Sequence, residues 1–200
     1  IFTGITTKQG AVNLSASTID TLTAEISNCT FTQNVRAIYA SKANLTLKSC
    51  EIVNNNNLTW ANGAIVYLSS SNTTVTNGKV ADNTGVEARV IEAAGGGSLT
   101  MDGTELSGNI SYGVVGTSSS GANITMKNIT ATSNVGAASM NSGGSVLNAN
   151  YIDGKTVVLE NLPATGNENT KQHGGAFYFN GSASTVIEIT GCTLTGNMAK

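Results

Sequence analysis

Apolar and polar positions alternate along this chain in short runs of period two, as in Ala24-Glu25-Ile26 and Leu45-Thr46-Leu47. That is the in-out-in signature of half-buried strands, and no apolar stripe of helical spacing competes with it. The runs recur. Anchoring on one asparagine per recurrence, Asn34, Asn55, Asn83, Asn109, Asn134, Asn167 and Asn197, gives intervals of 21, 28, 26, 25, 33 and 30 residues. Despite the uneven intervals, the eleven residues ending at each anchor align without a gap. Ten before the anchor stand Ala24, Leu45, Thr73, Leu99, Ile124, Val157 and Ile187; eight before it stand Ile26, Leu47, Val75, Met101, Met126, Leu159 and Ile189. Both columns are nearly all apolar, and the position between them is mostly Thr or Glu.

Six before the anchor lies a turn column, Asn28, Ser49, Asn77, Gly103, Asn128, Asn161 and Gly191, rich in residues that tolerate left-handed backbone angles. A short apolar step follows three before the anchor, in Phe31, Ile52, Val80, Leu106, Ala131, Ala164 and Leu194. The unit is therefore strand, bend, short strand, bend. A second apolar stretch comes after each anchor, for example at 37–39, 63–67 and 175–179, and the variable length falls around it. Fixed faces with elastic corners belong to a solenoid, in which only projecting loops change length.

A β-sandwich also alternates with period two, but its strands have different neighbours and no reason to share columns. The pattern predicts an all-β, right-handed parallel β-helix (β-solenoid) of about seven coils, a single segment over residues 1–200 that forms part of a longer solenoid. At about 4.8 Å per coil the rod is about 34 Å long. The anchor asparagines should form a ladder, each side-chain amide both donating to and accepting from its neighbours along the axis.

Composition narrows the function. With 23 Gly, one Pro, 11% charged residues and a net charge of -2, the chain carries no basic face for nucleic acid and no transmembrane run. Neither end shows a cap: "IFTGITT" reads as part of another coil and "CTLTGNMAK" stops just past Asn197. The expectation is continuation into further coils or self-association end to end.

The strings "FTQN" at Phe31 to Asn34, "NGAI" at Asn62 to Ile65 and "GGAF" at Gly174 to Phe177 resemble the FxxN and GGA[ILV] repeats of the chlamydial polymorphic outer membrane proteins. They also resemble related adhesin-like surface proteins. The resemblance implies a passenger of a surface protein with adhesive roles, a host-surface, matrix or carbohydrate ligand, and no catalytic residues to carry over.

Little in the sequence suggests chemistry. Glycan-cleaving β-helices need carboxylates converging on one face, whereas Asp20, Asp82, Asp102 and Asp153 fall in different columns and coils. Glu51 and Glu105 share a column with Lys79 between them, which reads as a solvated ion row. His173 is the only histidine and reads as a loop residue, and the Gly95-Gly96-Gly97 run reads as a corner. No catalytic, cofactor or metal site is expected. Cys29 and Cys50 share an inward column in adjacent coils, with Cys192 in the same column further on. Buried free thiols are favoured over a bond, because parallel Cβ vectors leave the sulfurs poorly angled.

Asn-x-Ser/Thr sequons begin at Asn13, Asn28, Asn44, Asn57, Asn72, Asn109, Asn123, Asn128 and Asn180. Register favours Asn44, Asn72 and Asn123 as N-glycosylation sites, since they share one outward column, while Asn109 belongs to the ladder. The leading expectation is a non-catalytic extracellular or cell-surface structural or adhesive module, a glycoprotein without cofactor. The alternatives are a polysaccharide-binding or polysaccharide-cleaving β-helix protein and an ice-binding solenoid. The last is suggested by the Thr46, Thr74, Thr100, Thr125 row, but Lys48, Asp102 and Lys127 in the partner column argue against it.

Overall fold

The computed structural model describes residues 1–57, 63–85, 88–137, 143–170 and 173–200. Within them every strand pairs in parallel with the equivalent strand of the next coil, and the described residues include no helix. Three parallel sheets result. One has eight short strands, from Phe2–Thr3 and Thr30–Thr32 to Thr193–Thr195; one has five two-residue strands, from Thr84–Gly85 to Met198–Ala199; the third has twelve. The expected stack of about seven coils is there. Asn62 of the "NGAI" string lies outside the described residues.

The columns read from the sequence are the pairing registers of the structure. Ala24, Leu45, Thr73, Leu99, Ile124, Val157 and Ile187 follow one another rung by rung, as do Ile26, Leu47, Val75, Met101, Met126, Leu159 and Ile189. In the middle coils these side chains are fully buried, Leu99, Met101, Ile124 and Met126 among them. Each such side chain is worth about 1.5–3 kcal/mol of burial. Repetition of like residues thus builds one continuous core along the axis.

Two corners per coil are left-handed. The turn column has positive φ throughout, from 50° at Ser49 to 65° at Gly191. A second column, Gln33, Asn54, Asp82, Gly108, Ser133, Gly166 and Gly196, is also left-handed, with φ between 54° and 64°. It lies one residue before each anchor and aims the asparagine inward. The two-residue strands just after the anchors, such as Ile110–Ser111, are the smallest face and have too few residues to show alternation.

The large sheet carries two legs per coil, fused in Val66–Thr76 and Ile91–Asp102 and divided by a bend elsewhere, as at Lys42 between Ile38–Ser41 and Ala43–Lys48. The Gly95-Gly96-Gly97 run is therefore a bulge inside a continuous strand and not a full corner. Its three residues have φ of 68°, 86° and 86°, and a β-carbon on Gly97 would lie 2.3 Å from the Ser71 carbonyl oxygen. Only glycine fits there.

Candidate functional site

The ladder is continuous. The backbone N–H and Nδ2 of Asn34 both donate to Asn55 Oδ1, at 3.0 and 3.1 Å, and the same pair of bonds links Asn55 to Asn83, Asn83 to Asn109, Asn109 to Asn134, Asn134 to Asn167 and Asn167 to Asn197. Each Nδ2 also donates backward to a carbonyl of the preceding coil, as Asn109 does to Val80 at 2.9 Å. Each interior side chain thus uses both N–H donors and accepts two bonds, which is why a buried polar column is tolerated. Ile5 occupies the ladder position of the first coil, where only its backbone N–H reaches Asn34 Oδ1, at 3.0 Å.

The three favoured sequons share a rung order of Asn44, Asn72, Ser98, Asn123. Their exposure differs. Asn123 is exposed, whereas Asn44 and Asn72 are half-buried, and Asn72 Nδ2 donates to Asn44 Oδ1 at 3.2 Å and to Asp20 at 3.4 Å. Asn109 is fully buried. The Thr46, Thr74, Thr100, Thr125 row is in register, and so is the neighbouring row of Lys48, Thr76, Asp102 and Lys127. Lys127 is tied to Glu160 at 2.8 Å, and that hydrogen bond raises its pKa. In the ion row, Lys79 meets Glu105 at 3.4 Å; a hydrogen bond from Ser107 and then the Lys79 charge hold the Glu105 carboxyl below its usual value.

The three cysteines are free thiols. Cys50 donates to the Ile26 carbonyl at 3.3 Å, and burial raises its pKa. Among the described residues no group of three or more His, Cys, Asp or Glu gathers as metal ligands, and no helix is long and apolar enough to cross a membrane.

One feature of the molecule departs from the Thr, Ser, Asn and Lys of the other outward columns. On the first leg of the large sheet, Asn13, Tyr39, Tyr67, Glu92, Gly116, Asn148 and Tyr178 form one column on the side away from the core, and within it Glu92, Gly116 and Asn148 are buried. Both arginines of the chain reach it from the corner just before the strand. The Tyr39 and Tyr67 rings stack with centroids 5.7 Å apart, and the Arg36 guanidinium lies 5.6 and 5.2 Å from the two rings. Arg36 also donates to the carbonyls of Ala64 at 3.1 Å and Lys8 at 2.8 Å. Its pKa is lowered by burial, against the opposing pull of Tyr67 and Glu92.

Arg89 lies over the Tyr112 ring, 5.0 Å from its centroid, and 3.4 Å from Glu92, with both side chains of the ion pair at least nine-tenths buried. Glu92 also accepts a hydrogen bond from Ser118 Oγ. Gly116 makes room for this arrangement, because a β-carbon there would sit 2.3 Å from Arg89 Cδ and Nε. Burial and the neighbouring Glu92 push the Tyr67 phenol up. His173, expected as an isolated loop residue, is exposed and stacks on Tyr178 at 5.7 Å, so it belongs to the end of the same strip.

The sequence reading missed this strip. Its members come from the stretch of variable spacing, where no gapless alignment showed that Tyr39, Tyr67 and Glu92 are rungs of one column. The concentration of Arg and Tyr beside that stretch was the available signal.

Comparison with curated proteins and with solved structures returned no match. A family described as "Right handed beta helix region" matches residues 3–157. That span contains most of the coils, the strip from Arg36 to Asn148 and five of the seven ladder asparagines, Asn34 to Asn134. The chain belongs to the right-handed β-helix family.

Proposed function

We propose that this solenoid is a non-catalytic structural or adhesive module of an extracellular or cell-surface protein. The observation that carries the reading is the unbroken asparagine ladder from Asn34 to Asn197, which holds every coil in one register and so displays long, regular outward columns on a stiff rod. The sequence likeness to surface-protein repeats supports the same reading. Antibodies against the chain should label intact cells of its source without permeabilisation, and beads coated with the chain should adhere to a surface that bare beads do not hold. Labelling only after permeabilisation, with coated beads behaving like bare ones, sinks the reading.

A carbohydrate-cleaving reading has one observation in its favour, the buried Glu92 between Arg89 and Ser118. Release of reducing ends from a polysaccharide by the purified chain, lost in Glu92→Gln, would establish it in place of the first.

A further inference from the structure

We propose that Cys29 and Cys50 form a linear, two-coordinate site for a soft monovalent cation, of which Cu(I) is the biological member. The inference goes beyond the adhesive reading and does not depend on it. Register, thiol orientation and ligand chemistry lead to it in turn.

The two cysteines are rung neighbours. The residues around them pair in parallel, Ser27 with Lys48 and Thr30 with Glu51, and the Glu51 N–H donates to the Cys29 carbonyl at 2.9 Å. The thiols also hang alike. Cys29 Sγ donates to the Ser27 carbonyl at 3.3 Å and Cys50 Sγ to the Lys48 carbonyl at 3.5 Å, each two residues back along the chain. Because those carbonyls lie one rung apart, the sulfurs repeat at about the strand spacing of 4.8 Å. A second bond, from Cys50 Sγ to the Ile26 carbonyl at 3.3 Å, leans this sulfur toward the coil of Cys29.

That spacing decides between two uses of a thiol pair. A disulfide needs sulfurs about 2.05 Å apart and β-carbons within about 4.5 Å, and parallel side chains one rung apart meet neither condition. A metal–thiolate bond is about 2.3 Å long, so a linear S–M–S unit spans about 4.6 Å. The pair matches that span without movement of the backbone. Soft thiolates select Cu(I) over harder ions, and among the described residues no group of three or more His, Cys, Asp or Glu supplies a larger ligand set.

The surroundings suit such an ion. Cys50 is buried in the core and Cys29 is half-buried beside it, so the site is enclosed on one side and open to an entering ion on the other. In the next coil the position belongs to Gly78, which has no side chain to crowd the pair. Burial above all raises the Cys50 pKa, so loading competes with protons. It breaks two S–H bonds, forms two S–Cu bonds and releases two protons to solvent, while copper stays Cu(I) throughout.

The test uses the whole chain, reduced and then freed of reductant under nitrogen. It is titrated with Cu(I), supplied as the acetonitrile complex, against a chromophoric Cu(I) chelator. Wild type should take one Cu(I), more tightly as pH rises from about 6 to about 8. Cys192→Ser should bind like wild type, because Cys192 has Leu162 and not a thiol on the rung before it. Cys29→Ser and Cys50→Ser should each weaken binding at least about a hundredfold, beyond what loss of an outer partner of a metal ligand costs. X-ray absorption at the copper edge should show two sulfur neighbours and no nitrogen or oxygen. Should Cys50→Ser fail to fold, Cys29→Ser at the half-buried position decides alone.

Wild type that takes no Cu(I) from the chelator overturns the proposal, as does equal binding by wild type and Cys29→Ser. Three or more ligands at the copper edge overturn it too. Rapid closure of a Cys29–Cys50 disulfide by oxidised glutathione would place the sulfurs within bonding reach and overturn the spacing on which the site rests.

Discussion

Asn109→Ala removes the centre of the ladder, and the structure sets the size of the effect. Asn109 Oδ1 accepts the Asn83 backbone N–H at 3.1 Å and Asn83 Nδ2 at 2.9 Å, while its own Nδ2 donates to Asn134 Oδ1 and Val80 O, both at 2.9 Å. With alanine there, two donors of fully buried Asn83 lose their acceptor in a site that water does not reach. At about 1–3 kcal/mol for each buried polar group left unsatisfied, the loss is about 2–6 kcal/mol. That is a large fraction of the stability of an ordinary domain. The end of the ladder supplies an internal control. Asn197 is only partly buried and closes the row, so Asn197→Ala should cost clearly less. Urea unfolding followed by far-ultraviolet circular dichroism measures the global loss. Amide exchange adds location, because repeat arrays fray locally and protection should fall most in the coils of Asn83 and Asn134. A loss below about 0.5 kcal/mol for Asn109→Ala, or one no greater than that for Asn197→Ala, refutes the claim that the ladder is a stabilising buried network.

Three further outcomes follow from the same structure. Thr73 sits in the inward column between Leu45 and Leu99 with its buried hydroxyl unpartnered among the described residues, so Thr73→Val should raise the urea midpoint by the equivalent of about 1 kcal/mol with an unchanged slope; a lower midpoint would mean the hydroxyl has a partner. Gly116→Ala should cost about 1–3 kcal/mol by driving Arg89 off Tyr112 and Glu92, and an unchanged melt would show that Arg89 does not lie across that glycine. The Tyr67 phenol, raised by burial and then by Glu92, should give a spectrophotometric titration step above that of a free tyrosine, and Tyr67→Phe should remove that step. Because the shift is upward, Tyr67 favours the folded state below its ordinary pKa of 10.0, and this contribution fades as pH rises through the folded value.

The stacked faces were legible in the sequence because stacking demands like residues at like positions. Phe31, Ile52, Val80, Leu106, Ala131, Ala164 and Leu194 pair rung to rung as aligned, and the turn column is left-handed at every member. The second left-handed column was harder to see, since Gln33, Asp82 and Ser133 are not residues that announce such angles. Even so, the asparagine that follows each of them was the anchor that revealed the repeat. The two-residue strands carry no periodicity at all. The strip was missed for a related reason: insertions before the first leg break the alignment that would have stacked Tyr39 on Tyr67. Outward positions are also free to differ from coil to coil, so like residues do not mark them in the sequence. In the sequon column, alignment gave the register of Asn44, Asn72 and Asn123, but the hydrogen bond from Asn72 to Asn44 depends on side-chain geometry that no alignment contains.

The parallel, in-register stack is measured most directly by distances along one column. Nitroxide labels at Glu25 and Thr125 lie four rungs apart and at Glu25 and Glu188 six, through Thr46, Thr74, Thr100, Thr125 and Val158. With the native cysteines replaced by alanine, pulsed electron-electron double resonance should give Cα separations of about 19 Å and about 29 Å once label length is allowed for, growing by about 4.8 Å per rung. Separations that do not grow with rung number, or an order that places residue 188 nearer to residue 25 than residue 125 is, would contradict the β-helix.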